Sequence, residues 1–355
     1  MIAERLIQAR KAAGLSVQAL SAKAGAVVTP QAISKYEKGK CKPTSATLLA
    51  LAKALDVRTE YFFRPMTVDL GPMHFRKHSR VPAKTLNLIE GRTRDFLERY
   101  LTLEEIFPPG RFPVFRNPLE SRSVPAAEKA EALAETLREA WQLGLDPIPN
   151  MTELLESQGI KVIFISGEKG FDGLSTTAQG NRPIIVVGKE WPGEKQRITL
   201  AHELGHVILP QAGTVRRQKG LAKRFASAFV VPAKTARAEL GQRRKTLDWG
   251  ELFVLKRRFG VSVKAWLVRA KDLEIIDENR YGSLLKDYNR RRWNKGEPCP
   301  LPEEKPTRFR RLLYQGLAEG FLAETKAAEL DGRPLQVFLR VRAKEGATLA
   351  DHPHR

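Results

Sequence analysis

The sequence predicts a multidomain, mainly α protein with one α+β part, and three observations carry that prediction. The first 64 residues read as a series of short capped helices. Two strand-like runs at 160–166 and 182–188 lead into a helix bearing two histidines, and helical periodicity returns after Pro306. The expected division is a helical bundle at 1–64 and a linker with connecting helix at 65–124. A small-sheet unit at 125–280 follows, then a basic helical region at 281–355 whose tail is disordered.

With 355 residues the chain is long enough to bury two or three cores. Apolar residues make up 42% and charged residues 28%, an ordinary soluble balance, and no run approaches the ~18 apolar residues of a membrane span. No basic-then-apolar leader opens the sequence, so a cytoplasmic location is expected. Cys41 and Cys299 are too isolated to imply a disulfide framework or a metal knuckle. A formal net charge of +21, densest toward the two ends, points to a polyanion partner; solubilising surface lysine and arginine would give the same count.

The N-terminal elements are set by local punctuation. Ile2 to Ala12 carries an apolar face through Ile2, Leu6 and Ala9 and stops at Gly14. Ser16 caps a second helix, VQALSAKAG, which Gly25 ends. Thr29 and Pro30 open a third as cap and first-turn proline, running to Gly39, and Thr44 opens a fourth with Leu48, Leu51, Ala52 and Leu55 inward. Two short helices joined by a tight turn, the second displaying Gln31, Ser34 and lysines, suit a helix-turn-helix whose second helix enters the major groove. LIQARKAAGLSVQALSAKAG followed by TPQAISKYEKGKCKPTSATLLALAKALDV resembles the Xre/Cro repressor type of DNA-binding domain. That resemblance implies a five-helix bundle acting as a homodimer on an inverted repeat in a double-stranded DNA operator. Gln31 and Ser34 are the expected base readers, and Lys35, Lys38, Lys40 and Lys42 the expected phosphate contacts. Ala26-Val27-Val28 makes the turn between the two helices slightly long.

Beyond Phe63, prolines at 65, 72 and 82 mark a linker or short strands. His74 and His78 stand four apart there without a carboxylate beside them, so a structural role is expected. A helical period returns over Ala83–Leu103, and FPPGRFPVFRNP at 107–118 interrupts it. Residues 125–145 read as an alanine-rich amphipathic helix with early acidic residues, and Asn150 or Thr152 caps a helix to Gln158. IKVIFIS is a strand, Asp172-Gly173-Leu174-Ser175 a turn, and RPIIVVG a second strand.

That order leads into TLAHELGHVIL. On a helix, His202 and His206 share a face and Glu203 sits beside them, which is the spacing of two zinc ligands and a general base acting on bound water. It is half of such a site, because catalytic zinc takes three protein ligands and a water. From Val207 to Ala238 there is no Asp, Glu, His or Cys. The first acidic residues downstream are Glu239, Asp248 and Glu251, any of which could approach in three dimensions. The alternative is a fold relic whose histidines bond only backbone or each other.

GFDGLSTTAQGNRPIIVVGKEWPGEKQRITLAHELGHVIL, AKRFASAFVVPA, LKRRFGVSVKAWLVRAKDL and WNKGEP resemble the ImmA/IrrE family of zinc metallopeptidases over about Ala126 to Pro298. The resemblance implies a zincin-like fold with zinc as cofactor, His202 and His206 as metal ligands and Glu203 as catalytic base. It also implies a glutamate ligand thirteen residues before Pro232, and position 219 is a lysine. A protonated lysine there repels zinc by on the order of several kcal/mol in a poorly hydrated site. With its Xre/Cro-type start, the chain looks like members that fuse a repressor head to a peptidase-like domain, often as regulators or toxin–antitoxin partners.

Residues 247–275 form a further helix pair with Gly260 and Ser262 as stop and cap; Phe253, Leu255, Phe259, Trp266 and Leu267 favour packing over a second DNA-binding motif. YNRRRWNKGEPCP at 288–300 is a basic loop with Trp293 and a candidate phosphate contact. His352 and His354 in the tail are weak metal evidence. The function expected from the whole is a sequence-specific DNA-binding regulator, repressor or antitoxin-like, whose peptidase-like domain senses a signal or binds a regulator or toxin protein. The alternative is an active zinc endopeptidase that cleaves a regulatory protein.

Overall fold

A computed structural model describes residues 1–71, 74–75, 82–119, 127–166, 170–209 and 215–350. In chain order the first helices are α1 (Ile2–Ala12), α2 (Val17–Lys23), α3 (Pro30–Glu37) and α4 (Ser45–Leu55), followed by a 3-10 turn at Thr59–Phe63. Strand β1 (His74–Phe75) precedes α5 (Ala83–Glu105), α6 (Ala127–Ala140) and α7 (Met151–Ser157). Strands β2 (Lys161–Ile165), β3 (Gly173–Ala178) and β4 (Arg182–Gly188) lead into α8 (Gly193–Ile208) and α9 (Val215–Val230). The remaining helices are α10 (Ala233–Leu240), α11 (Trp249–Phe259), α12 (Val263–Asp272), α13 (Glu278–Arg290), α14 (Arg308–Ala318), α15 (Glu324–Asp331) and α16 (Leu335–Ala350). No helix among the described residues is long and apolar enough to cross a membrane. His78, His352 and His354 lie outside the described residues.

These elements form two units, one from residues 1–70, 78–113 and 307–355, the other from 71–77 and 114–306. Residues 307–350 therefore fold with the N-terminal helices, and 281–306 with the sheet.

In the first unit the expected caps are in place. Ser16, Thr29 and Thr44 each accept a hydrogen bond from the backbone N–H three residues on, satisfying groups the first turn leaves open. Leu6, Leu20, Ile33, Leu51 and Phe62 close the core. The fifth member of the bundle is the 3-10 turn rather than a full α-helix. The long turn between α2 and α3 is anchored from within, because Val28 is buried and its carbonyl accepts a 2.6 Å hydrogen bond from Ser21 Oγ. Ala26 takes a left-handed φ of 56° to make that geometry. Helix α5 crosses α1 so closely that a Cβ at Gly91 would lie 2.4 Å from the backbone nitrogen of Ala12. Gln8 donates to the Gly91 carbonyl, and Arg5 pairs with Glu98 at 2.5 Å. Burial pushes the Glu98 carboxyl above the usual range, against the opposing pull of Arg5. The C-terminal helices add a second apolar cluster on α5 through Phe309, Leu312, Leu313 and Phe338.

In the second unit the sheet order is β1-β3-β4-β2, with β2 and β4 parallel and β3 antiparallel to both of its neighbours. The turn expected at Asp172–Ser175 is not there: Gly173 begins β3, and the chain reverses later, at Gln179 and Gly180, with φ of 49° and 82°. GLSTTA lacks apolar alternation because this strand is covered on both sides, every residue but Thr177 being buried. Helix α6 stops at Ala140, short of the expected 145, because the buried Arg138 gathers the carbonyls of Gly144 and Asp146 into a turn around its guanidinium. The core joins β2 and β4 to α6, α8, α9, α11 and α12 through Leu137, Val162, Ile185, Leu204, Phe225, Leu252 and Trp266. Phe259, Val263 and Trp266 pack the α11–α12 pair into this core, as the packing reading of that segment expects. Trp293 packs edge-to-face on Trp249 and Phe253, so the aromatic of the basic loop serves packing.

Candidate functional site

Helix α8 is fixed at its start by residues far along the chain. A Cβ at Gly193 would lie 1.9 Å from the Pro302 carbonyl oxygen, so only glycine lets residues 301–302 cross there. The buried Glu194 accepts from the Leu301 N–H at 2.8 Å and from Lys256 Nζ at 2.7 Å. One turn on, Arg197 donates to Glu304 and to the carbonyls of Ile148, Pro149 and Phe259. Glu304 also accepts from the backbone of Met151 and Thr152, where α7 begins.

So positioned, α8 brings its three motif residues together. His202 is 4% exposed, Glu203 is fully buried and His206 is half-buried. The two Nε2 atoms stand 3.2 Å apart with the rings nearly perpendicular. Two nitrogens at that separation subtend about 100° at a point ~2.05 Å from each, close to the tetrahedral angle of zinc coordination. Strand β3 closes the other side: a Cβ at Gly173 would lie 2.7 Å from Thr199 Cγ2, 3.0 Å from the Val186 oxygen and 3.5 Å from Glu203 Cγ. Ser175, two residues on, shares the face of β3 that Gly173 presents, and its buried hydroxyl has no hydrogen-bond partner among the described residues. Sequence reasoning missed both residues by taking this stretch as a turn. Gly173→Ala is expected to destabilise the unit by about 1–3 kcal/mol; a urea midpoint unchanged from the parent would contradict the close β3–α8 approach.

Helix α9 packs along α8. A Cβ at Gly205 would lie 3.1 Å from Ala222 Cα and 3.2 Å from Phe225 Cδ1, so the motif's glycine sets the distance between the two helices. Ala222, Phe225 and Phe229 form the inward stripe of α9, and Lys219, half-buried, lies one turn before Ala222 on the same stripe. The side chains of Arg216 and Arg217 lie outside the described residues.

The donor set is therefore two imidazoles. No group of three or more His, Cys, Asp or Glu able to hold a metal occurs among the described residues. The three downstream carboxylates serve elsewhere: Glu239 pairs with Arg258, Asp248 caps α11, and Glu251 pairs with Arg244. Two imidazoles and a neighbouring carboxylate do not complete the three-ligand set of catalytic zinc.

In the helix-turn-helix, Ile33 is fully buried and Arg10 grips Glu37 through two hydrogen bonds, so α3 is held against the bundle by one face. The opposite face exposes Gln31 and Lys35, with Ser34 half-buried; Lys38, Lys40 and Lys42, just past the helix, extend this basic edge. Cys41 and Cys299 are exposed free thiols.

Comparison with known proteins agrees with both halves. Residues 6–62 match the family described as helix-turn-helix, and residues 155–271 match the family described as IrrE N-terminal-like domain. No curated protein matches the chain. The chain thus joins an N-terminal helix-turn-helix domain to a C-terminal IrrE-like, peptidase-like domain.

Proposed function

We propose that this chain is a sequence-specific DNA-binding transcriptional regulator, repressor or antitoxin-like, acting in the cytoplasm as a homodimer on an operator. Its peptidase-like domain senses a signal or binds a regulator or toxin protein, and its zinc site is incomplete among the described residues. The observation that carries the reading is the outer face of α3, where Gln31 and Ser34 stand together with Lys35, Lys38 and Lys40 following, above a buried Ile33. Gln can bond adenine bidentately, and the lysines neutralise phosphates without reading sequence.

The test is binding of the purified protein to its own promoter DNA across a salt series. Gln31→Ala is expected to relax preference at one base position by about 1–3 kcal/mol. Lys35→Ala weakens all sequences alike and lowers the salt slope by about one unit. Operator selectivity left intact in a Gln31→Ala, Ser34→Ala double variant would sink the assignment of the recognition helix.

The 3.2 Å separation of the histidine nitrogens supports a second reading, an active zinc endopeptidase that cleaves a regulatory protein, with Glu203 as base. Metal analysis separates the two. Near one equivalent of zinc, together with proteolysis abolished by Glu203→Gln, would replace the first reading with the second.

A further inference from the structure

The N-terminal unit contains a cavity of about 450 Å³ that neither domain's reading explains. Three stretches wall it: the segment after α4, the middle of α5, and the α15–α16 turn, all within one unit. Four arginines line it, Arg58, Arg64, Arg99 and Arg333, against three carboxylates, Asp56, Asp95 and Glu329. Arg64 pairs with Glu329 at 2.6 Å, Arg99 with Asp95 at 3.1 Å, and Arg333 with Asp331 at 3.3 Å. A guanidinium carries five N–H donors, so each pair leaves donors over. The buried Nε of Arg99 has no hydrogen-bond partner among the described residues. Arg58 is exposed and makes no ion pair among the described residues. Val57, Tyr61, Ala328 and Pro334 give the same cavity an apolar wall.

We infer that this cavity binds a small phosphate ester of nucleotide size. Its volume lies within the range of small-molecule sites, and seven of its twelve lining residues are charged, which suits a phosphate ester rather than an apolar ligand. Arginine forks match phosphate oxygens bidentately, and the apolar wall, with the Tyr61 ring in it, suits the organic part of such a molecule. Arg58 and Arg333 supply the phosphate contacts, beside an Arg99 held in place by the Leu330 carbonyl and Asp95. The inference is independent of operator binding and of the state of the histidine site.

Isothermal titration of the full-length protein with ADP, GDP and inorganic pyrophosphate tests it. At least one nucleotide is expected to bind saturably at one site per chain, and more tightly than pyrophosphate, because only the nucleotide uses the apolar wall. An Arg58→Ala, Arg333→Ala double variant is expected to bind at least about tenfold more weakly; because Arg333→Ala also unpairs the mostly buried Asp331, Arg58→Ala alone, on an exposed side chain, is the variant expected to weaken binding with thermal melting unchanged. Absence of saturable binding by all three probes overturns the inference. So does nucleotide affinity unchanged in the double variant, or a double variant that loses operator affinity while keeping its nucleotide affinity.

Discussion

Lys256→Ala is expected to lower the stability of the peptidase-like unit by about 3–5 kcal/mol, the range for breaking a buried ion pair from one side. The Lys256 side chain is fully buried on α11, and its Nζ donates to Glu194, to Glu297 and to the Pro298 carbonyl at 2.7, 3.0 and 3.1 Å. Removing it leaves two buried carboxylates facing one another with no cation between them. Glu297 has further tasks: it accepts from the backbone of Val263 and Lys264 at the start of α12 and from the Tyr288 hydroxyl. Burial and the adjacent Glu297 carboxylate push the Tyr288 phenol well up, so it stays a donor throughout the working pH range. The damage therefore spreads to the segment that fixes the start of α8, and the histidine pair loses its support. Arg258→Ala is the control, since Arg258 pairs with Glu239 on a largely exposed side chain and is worth less than about 1 kcal/mol. Urea denaturation of the full-length protein, followed by tryptophan fluorescence, measures both. Equal midpoints for the two variants would show that the Lys256 network carries no special share of the stability.

The elements readable in advance are those whose limits are set by neighbours in sequence. Ser16, Thr29 and Thr44 cap helices where local pattern places them, and β2 and β4 are runs of apolar β-formers. Strand β3 was not readable, because GLSTTA becomes a strand only through pairing with β1 and β4 and through the close approach of α8 at Gly173. The same holds for Glu297 and Glu304, which in the sequence are acids in and just past a basic, proline-rich loop. Their partners Lys256 and Arg197 lie 41 and 107 residues away. The apolar faces of α14 and α16 signalled that those helices need a partner, but not that α5 supplies it. Within the histidine site, spacing along one helix was legible and so was the shortage of acids after it. What sequence could not decide was where Glu239, Asp248 and Glu251 go: Glu239 pairs with Arg258, 19 residues on, Glu251 pairs with Arg244, and Asp248 caps α11.

Lys219→Glu is expected to convert the histidine pair into a site that purifies with about one equivalent of zinc, where the parent protein carries far less. The argument rests on α8 and α9. With no side chain at Gly205, α9 comes so close that a Cβ there would lie 3.1 Å from Ala222 Cα. Lys219 precedes Ala222 by one turn, toward the end of α8 that carries His206. A carboxylate at 219 adds the missing anionic oxygen donor to two imidazoles whose nitrogens already stand 3.2 Å apart; the lysine supplies a positive charge instead. The exchange changes the charge next to the site by two units and removes a repulsion on the order of several kcal/mol. Metal content by mass spectrometry is the direct readout, and thermal melting with and without chelator is the second. Free zinc at a thousand times Kd stabilises the folded state by about 4 kcal/mol, so the variant should melt lower once chelated while the parent does not. His202→Ala in the Lys219→Glu background should abolish the gain, whereas Glu203→Gln should leave metal content intact, because Glu203 stands beside the ligands rather than among them. A parent protein that already holds one equivalent, or a variant that gains none, would show that Lys219 is not what keeps zinc from this helix.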